Sequence, residues 1–441
     1  MRKANRSWYP LCIVLLCVRL VVIGASPLRT AANSLKILLE TLLEFKIYKA
    51  PSFTTIKRWV QQVGYYKLKR PKTIANDWML LIDASIQMGE KKCVLVLGCR
   101  ERDFPKKRAM TLKDLEVLAV RIEPSLNSSV ITQVLHEAAS LVGKVSVICS
   151  DRGSEIIRGI KDFQISNPDA RHVADTAHKV SNLLEATLEK STKWKEFREQ
   201  VTQARRRMQN SLIPGALPPS PRIKARYMNV DSLINWASDM LNLLDHGALT
   251  PELDMNEFKK YLGWLLAYRE EVAHWSCLVS IGKTARYCVR IEGIHTNIVA
   301  SFKQAISTIG MGFREEQFAD QITLFLSEQS KGTKIGERFI GSTEVLESLF
   351  GKMKYMEQEQ TAFGFTSLVL AAMACVGSTD EKTIDQALTA IKLSDIDEWS
   401  AKEIGQSVQC QRKRVKKIVA NLRLQVEQEI SGAAEGVAVG F

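Results

Sequence analysis

Residues 78–175 contain five short apolar runs, and their order constrains the fold more than any other feature of the chain. The first three, at 78–83, 92–98 and 115–123, follow one another directly. The last two, at 145–151 and 171–175, are each preceded by a segment with helical periodicity. Runs of this length and composition indicate β-strands. The predicted order is therefore β-β-β-α-β-α-β, which favours a single mixed sheet with helices packed on it.

That order is the one of an α/β ribonuclease-H-like mixed sheet, and two of the runs end in aspartate. Asp83 ends WMLLID, and Asp151 ends VSVICSD. If the two strands are neighbours, these carboxylates face each other at the edge of the sheet. Paired hard oxygen ligands of this kind are typical of a Mg²⁺ site, and two such ions can catalyse cleavage of a phosphodiester.

A third carboxylate is expected on a helix that packs beside the sheet. The segment STEVLESLFGKMKYMEQ (342–358) predicts a helix, and its Glu344 and Glu347 lie three residues apart on roughly the same face. Either glutamate could complete the site. Each acid also has an ordinary alternative role, because an aspartate that ends a strand is often a turn or cap residue.

Four blocks of the sequence resemble those of the DDE transposases, in the branch with a helical insertion before the final glutamate. The blocks are WMLLIDASIQMGEKKCVLVLG, VICSDRG, VADTAHK and STEVLESLFGKMK. Asp175 and His178 are similar to the (C/D)xxH motif of many such families. Glu347 and Lys354 are similar to an E-x6-K pair whose lysine assists DNA contact.

The resemblance also has a departure. The tyrosine and arginine that precede the glutamate in some bacterial families would fall at Ile340 and Thr343, so that signature is absent. Glu344 therefore remains a rival for the third ligand. Glu347 is preferred, because Lys354 falls at its partner spacing while Gly351 occupies the same spacing from Glu344.

The resemblance implies a transposase that cuts DNA at the ends of a mobile element and joins the 3′-hydroxyls to target DNA. Asp83, Asp151 and Glu347 would hold two Mg²⁺ ions, which Mn²⁺ could replace, and His178 and Lys354 would assist. The implied partners are double-stranded DNA and further copies of the chain, as a homodimer or a larger synaptic assembly. Two alternatives stay open: an inactive DNA-binding protein on the same fold, and a nuclease that cuts without joining.

The basic residues are concentrated at the N-terminus. Residues 1–76 contain fourteen Lys and Arg but only two acidic residues, so this segment carries almost all of the net charge of +13. Helical periodicity over 27–42 and 52–64, with Gly64 as the expected stop, predicts a helix-turn-helix that binds DNA. Its predicted DNA contacts are Thr54, Lys57, Arg58, Gln61, Lys67, Lys69 and Arg70.

These features predict five parts: a DNA-binding domain (1–75), a catalytic core (76–185), a helical insertion (186–335), the rest of the core (336–378) and a helical C-terminal segment with a loose tail (379–441). The run LCIVLLCVRLVVIGAS (11–26) imitates a signal peptide, but Arg19 divides it and it is short for a membrane span. A buried helix is predicted there. Nine cysteines without a CxxC pair fit a reducing cytoplasm, with association with the nucleoid if the protein is bacterial.

Overall fold

The computed structural model describes residues 2–5, 7–41, 49–88, 91–211, 213–219, 230–246, 255–358, 366–405, 412 and 414–422, without the side chains of 85–88, 214, 354 and 356–358. The strands are β1 (Ala75–Met88), β2 (Lys91–Arg100), β3 (Glu116–Glu123), β4 (Gly143–Ser150) and β5 (Arg171–Ala174). The helices are α1 (Leu11–Val22), α2 (Leu28–Thr41), α3 (Phe53–Lys69), α4 (Ser128–Val142), α5 (Ser154–Ser166), α6 (Thr176–Leu188), α7 (Thr192–Met208), α8 (Val230–His246), α9 (Met255–Leu262), α10 (Arg269–Glu292), α11 (Ile298–Ile306), α12 (Phe313–Ser330), α13 (Glu344–Gln358), α14 (Val369–Ala374), α15 (Glu381–Ala390) and α16 (Leu393–Trp399).

The five strands form one mixed sheet in the order β3-β2-β1-β4-β5. β1 pairs antiparallel with β2 and β2 antiparallel with β3, whereas β4 lies parallel to both β1 and β5. The predicted succession of strands and helices is confirmed. One detail was wrong: β1 does not end at Asp83 but continues to Met88. Its pairing register with β2 shifts between Asp83 and Ile86, so Asp83 lies at an irregularity inside the strand.

The sheet is covered on both faces, as the alternation along β1 requires. Leu80 and Ile82 belong to an apolar cluster with residues of α4 and α5. Met79 and Leu81 point the other way, into a larger cluster that extends through the helices of the rest of the chain. The parallel part of the sheet is therefore fixed from both sides, as buried parallel strands usually are.

The described residues between β5 and α13 are mostly helical, as predicted. All seven α-helices described there, α6 to α12, bury apolar side chains in the larger cluster. α10 packs against α6, α8, α11 and α12 and is the central helix of this region. The end of α10 approaches the start of α13, because Ile294 and Phe339 form an isolated antiparallel bridge.

The apolar N-terminal run forms α1, whose residues Leu11, Val14 and Val18 are buried in the protein core. The predicted buried helix is confirmed. Within the described ranges, the structure contains no helix that is long and apolar enough to cross a membrane.

The N-terminal helices do not stand apart from the rest of the chain. α3 packs against α14 and α15, which lie more than 290 residues further along the sequence. Gly64 was expected to end this helix, but α3 continues to Lys69. The glycine instead allows close contact, since a Cβ atom there would lie 1.7 Å from the backbone oxygen of Leu370. A boundary at residue 75 thus separates segments that share one core.

This packing corrects part of the predicted DNA-binding face. Gln61 is buried and donates a hydrogen bond to Ser367, and the Lys67 ammonium is buried against the carbonyl oxygen of Ala374 and the hydroxyl of Thr379. Neither can contact DNA in this structure, so those two predictions were wrong. Arg70 lies 3.1 Å from Glu116 in an ion pair. Of the other predicted contacts, Lys57 is partly buried, and the following are exposed: Thr54, Arg58 and Lys69.

The buried amine of Lys67 predicts an unusual pH dependence of stability. Burial lowers its pKa from 10.5 to about 7. Between these two pH values the unfolded chain binds a proton at Lys67 that the folded chain does not, so Lys67 should make the free energy of unfolding rise with pH, by at most about 1.4 kcal/mol per pH unit. In urea unfolding from pH 7 to pH 9.5, the free energy of unfolding of the wild type relative to that of Lys67→Met should therefore rise with pH.

Lys69→Met provides the control, because Lys69 lies on the same helix and is exposed. It should keep the pH dependence of the wild type. If the free energies of unfolding of Lys67→Met and the wild type change with pH in parallel, the low pKa of Lys67 is ruled out.

Candidate functional site

Three aspartates follow one another across the parallel strands at the same level of the sheet. Ile82 pairs with Ser150, and Ser150 pairs with Ala174. One residue further along each strand come Asp83, Asp151 and Asp175. Neighbouring strands lie about 4.8 Å apart, so each aspartate is adjacent to the next. The structure therefore brings Asp83 and Asp151 together, as the sequence indicated, and adds Asp175 beside them.

Asp83 and Asp151 differ in their surroundings. Asp83 is 2% exposed, within β1. Asp151 is partly exposed in the turn between β4 and α5, where its Oδ1 atom accepts a hydrogen bond of 3.2 Å from the backbone nitrogen of Gly153. That hydrogen bond fixes the turn. Gly153 contacts only Oδ1 and not the second carboxylate oxygen, Oδ2. One carboxylate is thus held inside the sheet and its neighbour lies at the surface.

Asp175 connects the sheet to α13. Its Oδ1 atom accepts hydrogen bonds from the backbone nitrogens of Ala177 at 2.5 Å and His178 at 3.2 Å, which caps α6. Its Oδ2 atom accepts from both the backbone nitrogen, at 2.8 Å, and the hydroxyl of Thr343, the residue before α13. Burial raises the pKa of Asp175, while the Thr343 bonds and the charge of His178 oppose the rise. Each carboxylate oxygen of Asp175 accepts two hydrogen bonds from these donors. Asp175 therefore links the start of α6 to the start of α13, and this link is the Asp175 latch.

His178 contacts the preferred third carboxylate. Its Nε2 atom lies 3.3 Å from Oε1 of Glu347. The hydrogen bond to Glu347 raises the pKa of His178 to about 9 against the effect of burial, and the negative charges of Asp175, Glu347 and Asp151 add to the rise. At neutral pH His178 is therefore a cation among three carboxylates. Both ends of the Asp175-Thr-Ala-His178 motif thus contact α13 or the residue before it.

Glu344, the rival third carboxylate, is held by a different partner. Its Oε1 atom accepts a hydrogen bond of 2.6 Å from Arg286 on α10. Burial opposes the charge of Arg286, but the bond to Glu344 raises the pKa of the guanidinium above its usual value. Glu344 therefore fastens α13 to the helical region, whereas Glu347 is directed to His178 near the aspartates.

The positions of the described side chains agree with only part of the predicted metal site. Among the side chains that the structure describes, no three His, Cys, Asp or Glu residues lie close enough together to hold a metal ion. Glu347 is engaged by His178, and Asp175 is engaged by Thr343. The oxygen donors nevertheless suit Mg²⁺, since two adjacent carboxylates of hard oxygen character lie at Asp83 and Asp151. The side chain of Lys354 lies outside the described part of the chain.

Sequence reasoning missed two residues that position this site. Thr343 was considered only as the place of an absent arginine, and Arg286 was not considered. The helical cap signal at Ser342-Thr343 could have indicated Thr343, because such residues commonly precede a helix. No local signal marks Arg286, since it meets Glu344 only through the packing of α10 against the start of α13.

Asp175→Asn should loosen the start of α13. The amide would direct N–H donors at the Thr343 nitrogen and hydroxyl, which now donate to Oδ2. A buried donor left without an acceptor costs about 1–3 kcal/mol, so the free energy of unfolding should fall by that amount. Hydrogen exchange at residues 343–349 should also become faster.

Asp380→Asn is the matched control, because Asp380 caps α15 through Thr383 at a more exposed position. It should leave exchange at 343–349 unchanged. Equal exchange at 343–349 in wild type and Asp175→Asn would show that Asp175 does not hold α13.

No protein-family model matches the sequence, and no curated protein matches it. Among solved structures, the chain is weakly similar to one titled "Drosophila P element transposase strand transfer complex". The likeness has a TM-score of 0.33 and 11% identity, and it covers 87% of this chain and 93% of that chain. Agreement at this level does not establish a shared fold.

Proposed function

We propose that the protein is a DDE-class DNA transposase, which cuts DNA at the ends of a mobile element and joins the 3′-hydroxyls to target DNA. The observation that carries this proposal is the placement of Asp83 and Asp151 side by side on β1 and at the end of β4, with α13 latched beside them. Carboxylates on adjacent strands with a third on a nearby helix are what phosphodiester cleavage by two metal ions requires.

The architecture supports the same proposal. The strand order β3-β2-β1-β4-β5, with the first three strands antiparallel and the last two parallel to β1, agrees with the order expected of a ribonuclease-H-like sheet. The helical segment between β5 and α13 would be the insertion of the transposase branch that the sequence resembles. A fold by itself does not specify an activity, so the carboxylates carry the functional argument.

Asp83, Asp151 and Glu347 would hold two Mg²⁺ ions, for which Mn²⁺ could substitute. When bound, such ions activate the attacking oxygen and stabilise the leaving oxygen of an in-line displacement. The protein's own contribution is positioning. Asp175 fixes the start of α13, and His178 contacts Glu347 and would orient it. The buried setting of Asp83 strengthens its electrostatic interactions.

Double-stranded DNA, from element ends and target, is the proposed substrate, and a homodimer or larger assembly would hold two ends together. The exposed cations Arg58 and Lys69 remain proposed contacts to the DNA backbone, together with Lys57, Arg70 and the hydroxyl of Thr54. Contacts of Lys and Arg with phosphates would make binding weaker as the salt concentration rises.

The test uses labelled linear DNA that carries the sequences flanking the gene, with supercoiled plasmid as target. We expect nicks with extendable 3′-hydroxyls in Mg²⁺ or Mn²⁺, joined products with the plasmid, and neither in EDTA. Cleavage without joined products would indicate a nuclease. Binding without cleavage would indicate an inactive DNA-binding protein on the same fold. Either result would overturn the proposal.

A further inference from the structure

A cleft of about 750 Å³ adjoins the candidate site on the side of α13 that faces α10. It lies between α10, residues 344–352 of α13, residues 104–113 and residues 375–379. Both Glu344 and Glu347 line it. Whatever occupies the cleft therefore comes into contact with the helix that carries the proposed third carboxylate.

The cleft has a surplus of positive charge. Lys113, Arg290 and Lys352 line it from three separate segments of the chain. Among the residues that the structure describes, none of the three forms an ion pair, whereas Arg286 in the same wall is paired with Glu344. Three cations without a carboxylate partner around one cleft favour an anionic ligand.

The volume of the cleft and its apolar walls indicate which kind of anionic ligand it can bind. A volume of about 750 Å³ is within the range of small-molecule sites, about 300–1,000 Å³, and too small to enclose a DNA duplex. Aliphatic side chains also line the cleft, among them Val289 and Val345. A single nucleic-acid strand combines the two requirements, because its phosphates need cations and its sugars and bases cover apolar surface.

We propose that this cleft binds a short stretch of a single DNA strand, with Lys113, Arg290 and Lys352 contacting its phosphates and Glu347 at one end of its path. The inference rests on the proposed function and deepens it, since it names where the strand next to the cut would lie. The strand would pass from the β2–β3 connection, along α10, to the first turns of α13.

The experiment compares two triple variants of equal charge. The first is Lys113→Gln, Arg290→Gln and Lys352→Gln. The control is Lys303→Gln, Lys331→Gln and Lys382→Gln, three exposed cations outside the cleft. Binding of a fluorescent twelve-nucleotide single strand is measured by anisotropy over a series of KCl concentrations in EDTA, so that no cleavage occurs.

Each phosphate contact contributes about 0.7 to the slope of log affinity against log salt for a single strand. The cleft variant should therefore lose about two units of slope, and its affinity at low salt should fall at least tenfold, while the control stays close to the wild type. An equal loss in both variants, or none in either, would overturn the proposal. Displacement of the strand by mononucleotide at equal phosphate concentration would also overturn it, in favour of a free nucleotide.

The outcome is separable from that of the proposed function. Strand binding in EDTA does not depend on the carboxylates, so Asp83→Asn should bind the strand as the wild type does. If the wild type cleaves DNA but the cleft variant binds normally, only the cleft inference fails. If the cleft variant loses binding while the wild type never cleaves, only the proposed activity fails. Circular dichroism and Tm confirm that both triple variants are folded.

Discussion

Asp83→Asn is expected to reduce DNA cleavage by about 10²–10³-fold or more, the loss that follows removal of one preorganised group that stabilises charge in a transition state. The substitution keeps the size of the side chain and removes its negative charge. Asp83 is buried next to Asp151 on the sheet, so no other described carboxylate of β1 can take its place. Asp151→Asn should cause a loss of the same order.

Asp77→Asn is the control for this prediction. Asp77 lies on the same strand, and its Oδ1 atom is 2.7 Å from Arg100. It precedes Asp83 by six residues, which is about 20 Å along a strand. Its substitution should change cleavage less than about twofold, because the partly buried ion pair with Arg100 lies far from the candidate site. Equal rates for Asp77→Asn and Asp83→Asn, measured in the same Mg²⁺ assay, would remove Asp83 from the active site.

Substitutions of the two glutamates of α13 test which of them belongs to the proposed active site. Glu347→Gln should reduce cleavage about as much as Asp83→Asn, because Glu347 is the glutamate that meets His178. Glu344→Gln should cost much less, since it only weakens the contact with Arg286. The reverse order of the two losses would identify Glu344 as the third ligand and would give the contact between His178 and Glu347 a structural role only.

The sheet could be predicted from the sequence because its strands are encoded locally. Each of the five runs has the composition and length of a strand, and the helices between the last three force the parallel crossovers. Those crossovers placed Asp83 and Asp151 on neighbouring strands. The extension of β1 past Asp83 could not be predicted, because residues 84–88 lack a continuous apolar pattern and pair with β2 only after a register shift.

The acidic residues of the candidate site could be predicted from the sequence, but the contacts that hold them in position could not. Asp175 and His178 were singled out as a motif, but the latch from Asp175 to Thr343 joins residues 168 positions apart. The choice between Glu344 and Glu347 rested on the spacing to Lys354. The contacts of Arg286 and His178 now favour the same glutamate for a physical reason. Pairings of this kind depend on the packing of distant helices, which periodicity does not specify.

The N-terminal region shows why a charge pattern alone can mislead. Helical periodicity located α2 and the start of α3, and the apolar stripe of Ile56, Trp59 and Val60 is buried as predicted. The sequence could not show that α14 and α15 cover a second face of α3. That cover buries Gln61 and Lys67, which local composition had assigned to the DNA-binding face.

Gly64→Ala is the substitution that should reveal this second face most strongly. In an exposed helix, alanine is more stable than glycine by up to about 1 kcal/mol, so helix propensity alone predicts a gain. At Gly64 the new Cβ atom would lie 1.7 Å from the backbone oxygen of Leu370 and 2.7 Å from its carbonyl carbon. These are backbone atoms of α14, so no side-chain rotation can relieve the clash and the two helices must separate. Overpacking typically costs about 1–3 kcal/mol and occasionally more, and we expect a loss of about 3 kcal/mol or more in the free energy of unfolding.

Gly351→Ala, inside α13 where a Cβ atom meets nothing within 4 Å, should instead stabilise the protein. Urea unfolding of the two variants would therefore give opposite signs, and a gain at both positions would mean that α3 and α14 do not pack as closely as this structure has them.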